Sequence, residues 1–467
     1  MTTSTLTPDP VALPAGDQAR LLRDGTLTAP RLLELHLERI AAIEPSVNAF
    51  VRVRSEKARS EAAAAQARLD AGERTALLGV PVAVKDNLEI EGEVTAHGSA
   101  ATPPPSPRDS EVVRRLRAAG AVIVGTTTLP ELAAFGQFTE SETFGITRNP
   151  WNTDRTPGGS SGGTAAAVAS GMAAVGVGTD GGASVRVPAA MCGLVGIKPQ
   201  RGRVPLDPLD EHWHGLTHVG PLARSVSDAA LLLDVLAGTG TRYADAAATP
   251  PPGPLRIAWS TKRILVTRLR PQAKQAVDGA LALLSGAGHT VHERDPRYGQ
   301  MMHLIMPRYL NGIKQDADRL EGPFSRRTRT IARLGGRFSE KRVAKARAGE
   351  AARAERINEV FDHADILITP TIAAPPPRAG VWGPRGALRT FNGGSPWVSL
   401  TAQWNFTGQP ALSMPMGFDE DGLPLAVQLI APPDGEELLL SVAAQLESLR
   451  GSAADVGLAG HPAGAAA

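Results

Sequence analysis

The sequence predicts an α/β protein with a large, mainly parallel sheet, and two observations support this. Apolar, strand-like runs alternate with helix-like segments, as in the unit formed by 78–85, 109–119 and 121–124. Glycines and proline-rich loops separate these segments. Aromatic residues make up only 4% of the chain, so the core must consist mainly of Ala, Val, Leu and Ile. Strands that alternate with helices in this order are typical of parallel β-sheets.

The same reasoning predicts further elements along the chain. Residues 16–72 show leucine and alanine at helical spacing and are predicted to be helical. Other strands are predicted at 255–259, 366–370 and 425–430, and other helices at 164–169, 272–286 and 436–448.

The length of 467 residues allows one large domain or two to three smaller ones. We predict an N-terminal arm (1–15), a single domain (16–450) and a flexible tail (451–467). Within the domain, a core over about 73–245 carries the chemistry, and a smaller subdomain over about 255–365 shapes the substrate pocket. The proline-rich run at 249–254 is the predicted linker between them.

Composition excludes several classes of protein. The net charge of +2 argues against a polyanion-binding surface as the main function. The single cysteine, Cys192, rules out an intrachain disulfide and a cysteine-based metal cluster, which fits a reducing compartment. No signal-peptide pattern and no apolar run of 18 residues is present. We therefore expect a cytoplasmic protein that does not associate with a membrane.

Two glycine-rich motifs are candidates for a functional site. In the first, 158–163, Ser160 and Ser161 stand between glycine pairs, just before a predicted helix whose N-terminus favours negative charge. A flexible or phosphate-binding turn would fit this motif equally well. In the second, 178–188, Gly181, Gly182 and Ala183 leave backbone N–H groups unobstructed for an oxyanion, and Ser184 follows them as a nucleophile would.

A serine nucleophile needs a base, and the sequence offers Lys85. No histidine lies within 24 residues of Ser184. Lys85 follows the apolar run 80–84, so burial should lower its pKa and leave a neutral amine. Taken alone, a lysine at a strand end is more often a salt-bridge partner. Asp180 and Arg186 are close enough in sequence to form a structural ion pair.

These residues carry a resemblance to the amidase signature family. The similarity spans about 16–449 and follows a series of motifs rather than one, at 79–86, 158–163, 178–184, 192–199, 220–224, 405–415 and 422–428. The resemblance implies a large central, mixed and mainly parallel twisted sheet with helices on both faces. It also implies hydrolysis of an acyl C–N bond without a cofactor or metal.

The resemblance further implies a Ser-cisSer-Lys triad. Lys85 would be the base, Ser160 the proton relay joined by a cis peptide bond, and Ser184 the nucleophile. The N–H groups of 181–184 would form the oxyanion hole, with Ser161 in structural support. Ala183 departs from the family, where glycine is usual, but it keeps its N–H donor.

Three further positions are predicted to contact substrate. By position in the family, Ala134 would offer its backbone carbonyl. Trp213 and His214, in the segment 211–214, would line the acyl or leaving-group pocket. The two histidines of that segment also suggest a metal site, but no third ligand follows from the sequence. We therefore favour the pocket over the metal.

Several alternatives stay open. Residues 158–162 also match the nucleophile elbow of α/β-hydrolases, but the proline-containing segment before them cannot be a central strand. The run 326–356 has eleven basic and three acidic residues; a solvated helix fits it better than a nucleic-acid contact. The family also includes an amidotransferase subunit that acts on glutamyl-tRNA with partner subunits. A scaffold without catalysis is the remaining alternative.

The sequence favours a monomeric or homodimeric amidase of the aryl acylamidase type. Low aromatic content and the methionine- and proline-containing segment 300–325 suggest a tolerant, apolar pocket. The expected partners are water and a small amide or, through urethanase activity, a small carbamate.

Overall fold

The structure is a computed structural model that describes residues 9–383, 385–451 and 458–459. The strands in these residues are β1 (Phe50–Val53), β2 (Pro81–Lys85), β3 (Val122–Thr127), β4 (Glu140–Ser141), β5 (Gly145–Ile146), β6 (Val175–Asp180), β7 (Val195–Lys198), β8 (His218–Ala223), β9 (Arg256–Trp259), β10 (Thr290–Glu293), β11 (Ile366–Pro370), β12 (Ala411–Phe418) and β13 (Pro424–Ile430). The α-helices are α1 (Ala15–Arg23), α2 (Ala29–Val47), α3 (Ser55–Asp70), α4 (Glu111–Ala118), α5 (Gly162–Ala169), α6 (Arg186–Cys192), α7 (Val226–Ala237), α8 (Arg242–Ala248), α9 (Pro271–Gly286), α10 (Met302–Leu320), α11 (Arg326–Gly335), α12 (Glu340–Ala348), α13 (Glu350–Asn358), α14 (Ala387–Gly393), α15 (Ser395–Val398), α16 (Ala402–Thr407) and α17 (Glu436–Arg450).

Eleven of the described strands form one sheet, in the order β1-β3-β2-β6-β8-β7-β12-β13-β11-β9-β10. The sheet is mixed, as predicted. Its parallel pairs lie in two runs, β3-β2-β6 and β11-β9-β10, and the other neighbouring pairs are antiparallel. Parallel pairing is therefore less dominant than the sequence indicated. One reason is that short connections, such as 419–423 between β12 and β13, permit only an antiparallel turn.

Helices cover both faces of this sheet, as predicted. Successive strand residues point to opposite faces, and in β2 this sends Val82 and Val84 into one apolar cluster and Ala83 into another. The first cluster includes residues of α7, α9 and α17. The second includes residues of α2, α3 and α5. The strand that ends at Lys85 is therefore enclosed from both sides.

The region predicted as a smaller subdomain, 255–365, extends the central sheet through β9 and β10. Its helices α10 to α13 follow β10 in the chain, and α10 reaches the candidate site described below. None of the helices in the described part of the chain is both long and apolar enough to cross a membrane.

The two ends of the described chain pack against the domain. The N–H groups of Ala15 and Gly16 donate to the Asp228 carboxylate at 2.8 and 2.9 Å. Leu458 and Ala459 are buried, and the Ala459 N–H donates to a carbonyl of α5. The prediction of a flexible tail is wrong at these two positions, because they fill space against α5 and the turn after it. Residues 1–8 of the predicted arm, and 452–457 and 460–467 of the tail, lie outside the described residues.

Candidate active site

Lys85 is the last residue of β2, in the interior of the sheet. Every residue of β2 is buried, and Lys85 has 0% of its surface exposed. Its Nζ lies 2.7 Å from Ser160 Oγ and 2.9 Å from Thr179 Oγ1. These neighbours are hydroxyl groups, and Lys85 makes no ion pair within the described chain. The amine is therefore held by neutral partners, unlike the salt-bridge lysine that was the alternative.

Burial lowers the pKa of Lys85 well below its usual value of 10.5, and the negative charge of Asp180 offsets this only in part. The cause is the loss of water around the ammonium form, which the two hydroxyls do not replace. A lowered pKa favours the neutral amine, whose lone pair can accept a proton. At 2.7 Å, the Ser160 hydroxyl is within direct reach of that lone pair.

Ser160 lies in the turn that precedes α5, and the Gly159–Ser160 peptide bond is cis. The preceding position must be glycine, because a Cβ on residue 159 would come within 2.1 Å of the Phe138 carbonyl oxygen. Ser161 ties this turn to the second motif: its N–H donates to the Ser184 carbonyl at 3.1 Å, and its hydroxyl donates to the Thr179 carbonyl at 3.2 Å. The two glycine-rich motifs therefore meet in space.

Residues 181–184 connect the end of β6 to α6 and form part of a cavity wall. Ser184 is 6% exposed, whereas Ser160 and Lys85 are fully enclosed. Ser184 is therefore the member of the predicted triad that a molecule in the cavity can reach. Ala183 is also buried in this wall, where its methyl group is accommodated.

The turn that carries Ser184 rests on a buried ion pair between Asp180 and Arg186. Both side chains are fully buried, and Nε and Nη2 of Arg186 each donate to a different Asp180 oxygen at 3.0 Å. Burial alone would raise the pKa of Asp180, but the charge and hydrogen bonds of Arg186 outweigh it and hold this pKa well below its usual value. The predicted structural pair is therefore present, and it brackets the candidate nucleophile.

The same network reaches the C-terminal part of the chain. Arg186 also donates to Asn405 Oδ1 at 2.6 Å and to Gln428 Oε1 at 2.7 Å. The Asn405 amide donates to the backbone carbonyl of Asp180 at 2.7 Å. Because each charge is paired and further hydrogen-bonded, the cost of burying this network is largely compensated.

Replacing Arg186 by Met should lower the free energy of unfolding by about 3–5 kcal/mol, since it leaves the Asp180 carboxylate buried without its partner. Urea denaturation of the purified variant measures this. The matched control is Arg31→Met, which breaks the exposed pair with Glu38 and should cost less than about 1 kcal/mol. Equal effects of the two substitutions would contradict the structural role of the buried pair.

The cavity in front of Ser184 has an apolar and aromatic wall. None of the described lining residues is charged. Besides 181–184, the wall consists of residues 133–137, Trp213, Ile264, Leu265, Met302, Ile305, Met306, Tyr309, Phe391, Gly394, Val398 and Ala402. Six of these residues come from the predicted pocket-shaping region 255–365. The cavity therefore offers mainly apolar contacts to a bound molecule.

The three predicted substrate contacts, Ala134, Trp213 and His214, differ in their position relative to the cavity. Trp213 and Ala134 line the cavity, but the Ala134 carbonyl already accepts a hydrogen bond from the Tyr309 hydroxyl. His214 is not among the lining residues. Its ring bonds to Asn311 at 2.9 Å, and its carbonyl accepts two hydrogen bonds from Arg308. The prediction that His214 lines the pocket is therefore wrong, because hydrogen bonds to Asn311 and Arg308 hold this residue against α10.

The histidines of the segment 211–214 do not converge. His212 bonds to Asp316 at 2.8 Å and to Thr217 at 2.8 Å, whereas His214 faces Asn311. Among the described residues, no group of three or more histidine, cysteine or acidic side chains is arranged to hold a metal ion.

Sequence reasoning missed several residues of the site. Thr179 is a hydrogen-bond partner of both Lys85 and Asn87, and it lies within the second glycine-rich motif, 178–188. Tyr309 and Gln137 place polar groups in an otherwise apolar wall. Thr179 could have been found from its place between Gly178 and Asp180. Tyr309 lies on a helix far away in sequence, and no local pattern points to it.

Comparison with known proteins agrees with this geometry. The family model described as Amidase matches residues 31–440, so the chain belongs to the amidase signature family. It is 51% identical over 444 residues to the putative amidase AmiB2 of Mycobacterium tuberculosis, covering 93% of this chain and 96% of the relative. The fold and the family define a hydrolase that cleaves C–N bonds.

Two solved structures are similar over nearly their whole length. The substrate complex of 6-aminohexanoate cyclic dimer hydrolase superposes with a TM-score of 0.85 at 31% identity, covering 94% of this chain and 97% of that one. A bacterial aryl acylamidase of the amidase signature family has a TM-score of 0.85 at 26% identity, with coverages of 96% and 99%. The α/β fold with a large mixed sheet is thus common to all three proteins.

Proposed function

We propose that this enzyme hydrolyses amides with apolar or aryl groups on both sides of the bond, through an acyl-enzyme on Ser184. The observation that carries the proposal is the uncharged, largely apolar cavity wall that includes Ser184, the one member of the proposed Lys85-Ser160-Ser184 triad that lines the cavity. The similarity to an aryl acylamidase supports the same substrate class.

In the first half-reaction, neutral Lys85 accepts the proton of Ser160, which in turn accepts that of Ser184. Ser184 Oγ attacks the amide carbonyl, and the oxyanion accepts hydrogen bonds from N–H groups of residues 181–184. The proton then returns through Ser160 to the leaving nitrogen, because an amine leaves poorly as an anion. The C–N bond breaks, the amine departs, and the acyl group stays on Ser184.

In the second half-reaction, water takes the place of the amine and is deprotonated by the same relay. It attacks the acyl-enzyme, and the acid is released as the proton returns to Ser184. A carbamate follows the same path: its amine leaves first, and water releases a carbonic acid monoester that breaks down to an alcohol and carbon dioxide. Small aryl carbamates are therefore a second substrate class for this site.

The competing function is a glutaminase that supplies ammonia to a partner. Free glutamine carries an ammonium and a carboxylate next to each other, and both must lose water on binding. The described wall offers neither a charge nor an ion pair to replace that water. Each unpaired polar group costs about 1–3 kcal/mol or more when buried. The cavity therefore favours uncharged substrates.

Three substrates given to the purified protein alone should separate these functions. We expect turnover of an apolar acyl anilide and of a small N-aryl carbamate. Their kcat/KM should be at least about 100-fold above that for glutamine, because the ammonium and carboxylate of glutamine would be buried without partners. Aniline release and ammonia release are the measurements. The Ser184→Ala protein provides the background rate. Turnover of glutamine alone would refute the proposed substrate class.

A further inference from the structure

Helix α10 contacts both the substrate cavity and the turn that contains Trp213. Met302, Ile305, Met306 and Tyr309, in its N-terminal half, line the cavity. Further along the same helix, other residues contact residues 212–215, the segment we call the tryptophan turn. The helix thereby links a substrate-facing surface to the backbone next to Ser184.

The tryptophan turn has an unusual backbone. Trp213 has a φ of 50° and His214 a φ of 53°. Bulky residues seldom adopt positive φ, and each such residue costs of order 1–3 kcal/mol. A backbone of this kind persists only where surrounding residues stabilise it. The contacts of the tryptophan turn therefore identify the residues that keep it in this conformation.

Arg308 fixes the backbone of this turn through two hydrogen bonds to the His214 carbonyl. Asp316 fixes the side chains of Trp213 and His212. Its carboxylate accepts a hydrogen bond from Trp213 Nε1 at 2.8 Å and lies 2.8 Å from His212 Nε2. Asp316 is 4% exposed, so these bonds are shielded from water. One helical turn earlier, Gly312 allows the indole to approach, because a Cβ there would lie 2.4 Å from Trp213 Cδ1. Helix and indole are in close contact.

The indole in turn covers Gly181. A Cβ at position 181 would lie 2.6 Å from Cε3 and Cζ3 of Trp213, so the six-membered ring packs directly over this residue. Gly181 is the first of the residues whose N–H groups are proposed to bind the oxyanion. A shift of the indole would change the space available to the Gly181 peptide, and hence the direction of those donors.

We propose that Asp316 is a positioning residue for the oxyanion hole: through Trp213, it holds the 181–184 backbone in the geometry that binds the tetrahedral intermediate. This inference rests on the proposed function. Asp316 does not touch the reacting atoms. Its removal should therefore weaken binding of the transition state and leave binding of the uncharged ground state nearly unchanged.

Asp316→Ala, which removes the acceptor of the Trp213 Nε1–H bond, and Trp213→Phe, which removes its donor, test the two links of this chain of contacts. Losing an oxyanion donor costs about 100- to 1,000-fold in kcat, so displacing one should cost about tenfold. We expect kcat on an apolar anilide to fall about tenfold for each variant, with KM changed less than about twofold for Asp316→Ala, because Asp316 is not among the residues that line the cavity. The inhibition constant of an aryl trifluoromethyl ketone, which forms a tetrahedral adduct on serine, should rise by the same factor. The double variant should have the same kcat and inhibition constant as either single variant, since both changes break the same contact between Asp316 and Trp213.

The matched control is Asp318→Ala on the same helix, where the exposed Asp318 pairs with Lys314. It should leave kcat, KM and the inhibition constant unchanged. Wild-type kcat in Trp213→Phe, or a rise in KM without a fall in kcat, would overturn the inference. If Asp316→Ala fails to fold, Trp213→Phe alone decides. Wild-type turnover that disappears in Ser184→Ala shows separately that the proposed function stands.

Discussion

Replacing Ser184 by Ala is expected to lower kcat/KM for an apolar anilide by at least about 10⁴-fold. Removing the nucleophile of a catalytic triad typically costs about 10⁶-fold, and only binding and the oxyanion hole remain. Ser184 is the reachable hydroxyl of the group, at 6% exposure, and an alanine fits its space. Steady-state rates of aniline release on wild-type and variant protein measure the effect.

The control for this substitution is Ser227→Ala, at an exposed position in the first turn of α7. It should keep the wild-type rate. The circular dichroism spectrum and melting temperature of Ser184→Ala should match those of the wild type. More than about one tenth of the wild-type activity in a correctly folded Ser184→Ala protein would exclude an acyl-enzyme at this residue.

The second large effect is expected at Lys85, where activity and stability should change in opposite directions. Lys85→Met removes the base and should lower kcat/KM by about 10⁴-fold or more. Between its lowered native pKa and 10.5, the unfolded chain binds one proton more at Lys85 than the native protein does. The free energy of unfolding therefore rises with pH there, by about 1.4 kcal/mol per unit. Below pH 10.5, folding must therefore remove a proton from Lys85, which lowers the free energy of unfolding. Methionine carries no proton to remove, so this loss of stability disappears.

We therefore expect Lys85→Met to be inactive but more stable than the wild type at pH 7, with the difference shrinking towards pH 10. Urea denaturation of both proteins at several pH values measures it. Lys274→Met serves as the control, because Lys274 is exposed and paired with Asp278 on α9. A Lys85→Met protein that is less stable at pH 7, with the same pH slope as the wild type, would contradict a buried neutral lysine.

Much of the fold and site could be predicted from local patterns. The strand at 366–370 coincides with β11, and the helix at 436–448 lies within α17, because an apolar run and an amphipathic period are local signals. The burial of Lys85 followed from the apolar residues before it. The contact between Asp180 and Arg186 followed from their spacing within one turn.

What could not be predicted depends on contacts between distant segments. The hydrogen bond from the Tyr309 hydroxyl to the Ala134 carbonyl joins residues 175 positions apart. His214 looked like a pocket residue from its neighbour Trp213, but a reversal at positive φ sends the two side chains to different sides. Leu458 lies close to Gly171, in the turn after α5, and the composition of a tail does not predict this contact. Predicting each of these contacts requires knowing how segments far apart in the sequence pack together.

Labelling with a fluorophosphonate, followed by peptide mass spectrometry, shows directly whether Ser184 is the nucleophile. The reagent phosphonylates a serine that is both activated and reachable. We expect a single adduct on Ser184, complete loss of activity at one adduct per chain, and no labelling of Ser184→Ala or Lys85→Met. An adduct on Ser160, with Ser184 unmodified, would contradict the assignment of nucleophile and relay.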